Sequence, residues 1–362
     1  MTRTLHPLSA SKRASDLRCD NRAAVLCSPR MIRVEDRPTP VPREHEVLVA
    51  ITATGVCGSD IHYYRHGRLG NFVVQQPLVL GHESAGHVVG LGPGVISHRL
   101  GERVAVEPNR PCRRCDQCHS GRYNLCRDIA FLGTPPVDGS LARYIVVPSD
   151  FAVTLPDTVS DAVGALVEPL SVGLWACSKA MIEPGSRVLI AGAGPVGLCA
   201  LIAARACGAS EITVIEPAES RRERAWLMGA TASVAPDDES ARRGEVDAFI
   251  ECSGDSRALA PGLFAVRPGG SAVIVGMGVD DTIPVPVAFL QTRELALTGT
   301  FRYANVFERA VGVASAYRHE LEQLVDCTYP LEDAEKALTA SERDPSVMKV
   351  IVAPFASPSG LT

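Results

Sequence analysis

Lysine is scarce in this chain. Of its 36 basic residues only Lys12, Lys179, Lys336 and Lys349 are lysine, and the bias toward arginine carries no message about catalysis. Acidic residues outnumber basic ones and the net charge is −5. No basic surplus exists, so neither nucleic acid nor an anionic membrane is expected as a partner. Long hydrophobic runs are missing as well. The longest uncharged stretch, Val188 to Ala204, is short for a membrane span and is broken by Gly192, Gly194, Pro195 and Gly197. A strand, a tight turn and a buried helix account for it better. The first 24 residues lack the apolar core of a secretory signal. They are basic and serine-rich, with Arg3, Lys12, Arg13, Arg18 and Arg22, a composition shared with transit peptides. A disordered tail over residues 1–23, or an over-long start, fits them better. Internal repeats and low-complexity segments are absent. A cytoplasmic protein is expected, since most of the twelve cysteines are scattered singly, as free thiols in a reducing compartment are.

What is present suffices for two domains, since 362 residues at 46% apolar content can bury two cores. Up to about Pro156 the chain reads as short strands, glycines and long loops. The clearest strands are Ala23–Leu26, Met31–Glu35, Val47–Thr54, Val88–Leu91, Arg103–Glu107 and Tyr144–Pro148. From Ser160 the character changes. Helical segments Ala162–Val167 and Leu170–Ala180 lead into strand–helix alternation: Arg187–Ala191, Pro195–Cys207, Glu211–Ile215, Ser220–Met228. Strands Val246–Ile250, Ala272–Val275 and Leu295–Thr298 continue it. Repeating βα units imply a parallel, doubly wound sheet. Helices Val306–Tyr317 and Leu331–Ser341 and a strand Met348–Val352 follow, the strand returning to the first domain. The expected division is an all-β, barrel-like domain over 24–168, completed by about 305–362, and a dinucleotide-binding domain over 169–304.

Four cysteines fall within fifteen residues: Cys112, Cys115, Cys118 and Cys126. Their x2, x2, x7 spacing brings four thiolates within reach of one tetrahedral ion and reads as a structural zinc lobe. A disulfide knot is the alternative, but adjacent x2 pairs are poor disulfide partners. A closed site does no chemistry. An open one is offered by Cys57, His82 and a carboxylate, with the fourth position free for substrate. Two carboxylates qualify, Glu83 beside His82 and Glu168 farther along. Singly, such a Cys or His is more often structural; the combination in one chain carries the reading.

Gly192-Ala-Gly194-Pro195-Val196-Gly197 follows a predicted strand and opens a predicted helix, the setting a dinucleotide fingerprint requires. Helix N-terminal amides then face the pyrophosphate. Glu216, nineteen residues beyond Gly197, ends the next strand, where a carboxylate accepts from ribose hydroxyls and repels a 2′-phosphate. NAD is therefore expected over NADP. Arg221 and Arg222 argue the other way, unless they are solvated helix residues.

These motifs together resemble the zinc-containing medium-chain dehydrogenases, and within them the sorbitol/xylitol (polyol) branch. The carrying blocks are Gly55-Val-Cys-Gly-Ser-Asp-Ile-His-Tyr63, Arg68-Leu-Gly-Asn-Phe72, Leu80-Gly-His-Glu83, Val106-Glu-Pro-Asn109, Gly121-Arg-Tyr-Asn-Leu-Cys126, Val167-Glu-Pro-Leu-Ser-Val-Gly173, the glycine fingerprint and Phe301-Arg-Tyr303. The resemblance spans roughly residues 24–355. It implies an α/β two-domain fold, a GroES-like β-barrel catalytic domain with a Rossmann domain, and two zinc ions per subunit. It implies Cys57, His82 and Glu83 as ligands, with Glu168 bound directly or through a water. Ser59 and His62 would relay the proton; Tyr63, Glu168, Arg302 and Tyr303 would contact substrate hydroxyls. Val275, Gly276, Met277, Thr300, Phe301, Arg302 and Arg221 would lie against NAD. The implied reaction is NAD-linked oxidation of a secondary alcohol of a small-molecule polyol, by a homotetramer or dimer. A cyclitol, amino-cyclitol or sugar substrate is an alternative, as is a threonine- or simple-alcohol-type enzyme, which Tyr63 and Phe301-Arg-Tyr303 argue against. A catalytically dead NAD-binding or lens-type relative would show broken ligands, and here all of them are present.

Overall fold

The structure, a computed structural model, describes residues 20–238, 245–278 and 282–357. The expectation of a tail falls, for residues 1–19, outside the described residues. Strand Asn21–Ser28 already opens at Asn21, two residues ahead of the predicted Ala23.

Two large sheets organise the chain. The first holds, in order, Ala152–Thr154, Arg103–Val106, Glu83–Leu91, Glu46–Gly55, Lys349–Ala353 and Val325–Pro330, with Tyr144–Pro148 also pairing Glu46–Gly55. Its middle is antiparallel, and the alternating β-branched residues of Glu46–Gly55 make that strand its hub. The expected return of the C-terminal strand is borne out: Ile351 and Val352 pair Gly55 and Thr54. The preceding strand Val325–Pro330, absent from the sequence reading, runs parallel to it.

The second sheet is parallel, ordered Ala232–Val234, Glu211–Ile215, Arg187–Ala191, Val246–Glu251, Val266–Ile274, Ala296–Gly299. Numbered along the chain this order is 3-2-1-4-5-6, the dinucleotide-binding arrangement, whose crevice opens where the order reverses. That point lies between the ends of Arg187–Ala191 and Val246–Glu251. The helices Val167–Lys179 and Pro195–Ala206 pack together in the largest buried cluster, which also takes in Tyr303 and Phe307.

Two local expectations need correction. Gly58–His66 is a helix, in a stretch read as strands and loops. It is short, and only Asp60, Tyr63 and Tyr64 point inward, so no apolar stripe announces it. Its start is fixed instead by a capping box, in which the Asp60 carboxylate accepts from the Cys57 N–H at 3.0 Å. Leu331–Ser341 is not one helix but a 3₁₀ turn (Leu331–Asp333) and two short helices, Ala334–Leu338 and Ala340–Arg343. Thr339 stands at the break, its hydroxyl donating back to the Glu335 carbonyl at 2.9 Å.

Candidate active site

Three chain segments meet at one end of the central strands of the first sheet. Cys57 caps the helix Gly58–His66, His82 immediately precedes and Glu83 opens the strand Glu83–Leu91, and Glu168 sits in the first turn of Val167–Lys179. Ligand atoms of Cys57, His82 and Glu83 all lie within 4.8 Å of one another. Gly55 faces this group because any β-carbon there would lie 2.1 Å from Glu83 Oε2.

Asp60 is buried beneath the cluster. It accepts from the N–H groups of Cys57 and Gly81, each at 3.0 Å, and its carboxylate lies 3.7 Å from His82 Nδ1. One carboxylate thus fixes the backbone on both sides of the thiol–imidazole pair. Burial pulls the His82 imidazole down, but the charge of Asp60, the charge and hydrogen bond of Cys57, and the charge of Glu168 outweigh it and push it up to about 10. Such a field favours a cation. Burial likewise pushes Glu168 up to about 7, with Glu83 adding and His82, Tyr303 and Lys349 opposing. A thiol, an imidazole and a carboxylate at this spacing are a donor set suited to zinc, and the residues fit the metal the family implies.

Lys349 was not singled out from the sequence. It is 2% exposed, and its ammonium donates to both Glu83 oxygens, at 2.9 and 2.7 Å, and to the Val56 carbonyl at 3.1 Å. A lysine at the start of an apolar strand, in a chain with only four, was the available signal.

Ser59 and His62 occupy successive positions on one helical face, Ser59 half-buried and His62 exposed. Partial burial, then His66 and Arg65, pull the His62 imidazole down. Tyr63 is buried and shares a hydrogen bond with Thr134, another residue the sequence reading missed. The Arg302 guanidinium stacks 3.9 Å over Phe131 and 4.7 Å over Phe301. Burial pulls it down to about 10 despite the charges of Tyr63, Glu168 and Tyr303. Arg302 Nη1 is buried without a protein partner among the described residues, a donor available to a ligand hydroxyl.

Arg302 and Asn305 both hold left-handed backbone, φ 53° and 58°. The cysteine lobe clamps this turn from outside. Asn124 Nδ2 donates to the Phe301 carbonyl at 2.8 Å, Asn305 Nδ2 to the Gly121 carbonyl at 2.7 Å, and the Asn305 N–H to the Tyr123 hydroxyl at 2.9 Å. In the lobe itself, Cys118 Sγ lies 4.0 Å from Cys112 Sγ and 3.6 Å from Cys115 Sγ, and all four thiols fall within 4.8 Å. Thiolates around one tetrahedral zinc stand about 3.8 Å apart, given Zn–S bonds near 2.3 Å. A disulfide would need roughly 2 Å, so these four are free thiols that fit a metal.

At the crevice of the parallel sheet, Gly192 has φ 95°, and a β-carbon on Gly197 would lie 1.9 Å from the Gly192 carbonyl oxygen. Gly194 has nothing within 4 Å on that side, leaving the helix N-terminus at Pro195 and Val196 approachable. The Glu216 carboxylate accepts from the Ala193 N–H at 2.8 Å and the Ala218 N–H at 3.0 Å. Arg222 donates to the Glu216 and Pro217 carbonyls, and Arg221 to the Pro345 carbonyl. The N–H groups of Val275 and Gly276 donate to the Glu251 carbonyl, that of Thr300 to the Ile274 carbonyl, and Met277 is exposed.

Comparison with known proteins agrees with this geometry. Residues 43–157 match the family described as alcohol dehydrogenase GroES-like domain, and 195–316 the one described as zinc-binding dehydrogenase. The chain belongs to the zinc-binding, medium-chain alcohol dehydrogenases, and it is an oxidoreductase with a GroES-like domain and a Rossmann domain. Within that family it falls in the sorbitol dehydrogenase and xylulose reductase branch. It is 41% identical to the sorbitol dehydrogenase of Bacillus subtilis (strain 168), over 92% of this chain and 97% of that protein. It is 40% identical to the "Probable D-xylulose reductase A" of Aspergillus clavatus, over 88% and 92%. Among solved structures, L-idonate 5-dehydrogenase of Escherichia coli superposes with TM-score 0.86 at 32% identity, over 92% of this chain and 98% of that one. A zinc-binding dehydrogenase of Sinorhizobium meliloti 1021, bound to NADP, gives 0.85 at 31%, over 92% and 99%. No helix of the described residues is long and apolar enough to cross a membrane.

Proposed function

We propose that the protein oxidises a secondary alcohol of a polyol of the sorbitol, xylitol or iditol class to the ketose, passing the hydride to NAD. What supports this reading most is the grouping of Cys57, His82 and Glu83, with Glu168 in the field of His82 and Arg302 in that of Tyr63 and Glu168. Zinc bound by Cys57, His82 and Glu83 would supply Lewis acidity, making the substrate hydroxyl a stronger acid near neutral pH. Arg302 Nη1 and the Tyr63 and Tyr303 hydroxyls would orient the neighbouring hydroxyls of the chain. Glu168, pushed up to about 7, would accept from a hydroxyl when ionised and donate to one when protonated. The hydroxyl proton would leave through Ser59 and His62 to solvent, and NAD, when bound, would supply the acceptor for the carbinol hydrogen as hydride.

NAD rather than NADP is favoured by the Glu216 carboxylate and by the pairing of Arg221 and Arg222 with backbone carbonyls, which leaves neither guanidinium free of protein contacts. The NADP-bound relative makes this a point to test. Four thiols at tetrahedral spacing support a second, structural zinc. The deciding experiment combines metal analysis with NAD- and NADP-linked turnover of sorbitol, xylitol and a cyclitol panel. Full activity after complete removal of metal, or turnover confined to cyclitols, would overturn the reading.

A further inference from the structure

We propose that Arg224 and Asp326 are positioning residues for the ligand Glu83, acting through Lys349. The inference rests on the reading of Cys57, His82 and Glu83 as a metal centre. Glu83 is 1% exposed and takes both hydrogen bonds of its carboxylate from the Lys349 ammonium. Lysine ends in a point charge on a long stem, so where its nitrogen stands depends on where its backbone is held. Lys349 is the first residue of its strand, the place where a strand most readily slips.

Asp326 prevents the slip. It sits at an irregularity in the neighbouring strand, where the pairing jumps from Val325 with Lys349 to Cys327 with Val350. There the carboxylate takes over from the backbone: Asp326 Oδ2 accepts from the Met348 N–H at 2.5 Å and the Lys349 N–H at 3.2 Å. The other oxygen, Oδ1, accepts from Arg224 Nη2 at 2.9 Å, and Arg224 Nη1 donates to the Gln323 carbonyl. Arg224 belongs to the helix Glu219–Leu227, which follows Glu216 on the cofactor side. An unbroken series of polar contacts therefore runs from that helix through Asp326 and the start of the last strand to the Glu83 carboxylate. With the Arg224 pair removed, Asp326 is free to turn from the two amides, and the ammonium no longer fixes the orientation in which Glu83 meets the metal.

The test uses the full-length holoenzyme and follows zinc release to a colorimetric chelator. Cys57→Ala identifies which release phase belongs to this site. Arg224→Ala and Asp326→Asn should each quicken that phase about tenfold, the lower end of what loss of an outer contact does to a metal site. They should shift the absorption of the cobalt(II)-substituted enzyme and lower kcat while KM for NAD stays within twofold. Arg224→Lys should recover most of the effect. A purely structural role would lower the melting temperature and leave the release phase and cobalt spectrum as they are. If Lys349→Met alters both readouts and neither Arg224→Ala nor Asp326→Asn does, the inference is overturned with the metal centre intact. If Cys57→Ala removes no phase, the metal-centre reading itself falls.

Discussion

Glu107 is a buried carboxylate held against the cysteine lobe, and its protonation can be read in stability. It is 6% exposed and accepts from the Tyr123 hydroxyl at 2.8 Å and from Asn109 Nδ2 at 3.1 Å. Burial pushes its carboxyl from 4.5 up to about 7; those two hydrogen bonds oppose the rise, and Asp150 and Glu308 add to it. The folded protein thus holds this proton more tightly than the unfolded chain does. The stabilisation is fully present below about pH 4.5 and is lost as pH rises through about 7. At roughly 1.4 kcal/mol for each pH unit between the two values, the loss is about 3 kcal/mol. Glu107→Gln removes the titration and keeps the shape. For a chain of this size unfolding as a unit, 3 kcal/mol is roughly 4 °C in melting temperature. Melts at pH 5.5 and 8.5 capture only the part of this loss above pH 5.5, about 2 kcal/mol or roughly 3 °C, by which the wild type should fall relative to Glu107→Gln on going to the higher pH. Equal pH dependence in both proteins would refute the argument, because the difference between them isolates this one group.

Cys115→Ser should loosen the lobe and, through Asn124, Gly121 and Tyr123, the Arg302 turn. KM for polyol should then rise several-fold with KM for NAD little changed and half the metal lost; loss of all metal at once would contradict two independent sites. Glu216→Ala should erode the preference for NAD over NADP measured as a ratio of kcat/KM, and an unchanged ratio would remove Glu216 from cofactor choice. It should also lower stability by about 1–3 kcal/mol in urea unfolding, because the buried N–H of Ala193 and the half-buried N–H of Ala218 lose their acceptor.

Much of the site could be read along the chain because its chemistry is written in short spacings. The four lobe cysteines span fifteen residues, and the glycine fingerprint is a local turn in which Gly197 packs against the Gly192 carbonyl. The strands Arg187–Ala191, Glu211–Ile215 and Tyr144–Pro148 fall where the sequence put them, since buried runs and alternation are local signals. The helix Gly58–His66 did not, because its start depends on a polar cap rather than on periodicity.

The residues that hold the site together were hidden for a different reason. Asp60 meets Gly81 across 21 positions, Lys349 meets Glu83 across 266, and Asp326 meets Arg224 across 102. Hydrogen bonds and ion pairs act over a few ångströms in space whatever their separation along the chain. The sequence by itself therefore determined which groups could bind a metal and a dinucleotide, and the strand and helix that would carry the glycine fingerprint. Only the tertiary structure decided which buried charge stands against which ligand, because that pairing exists only once distant strands are brought side by side.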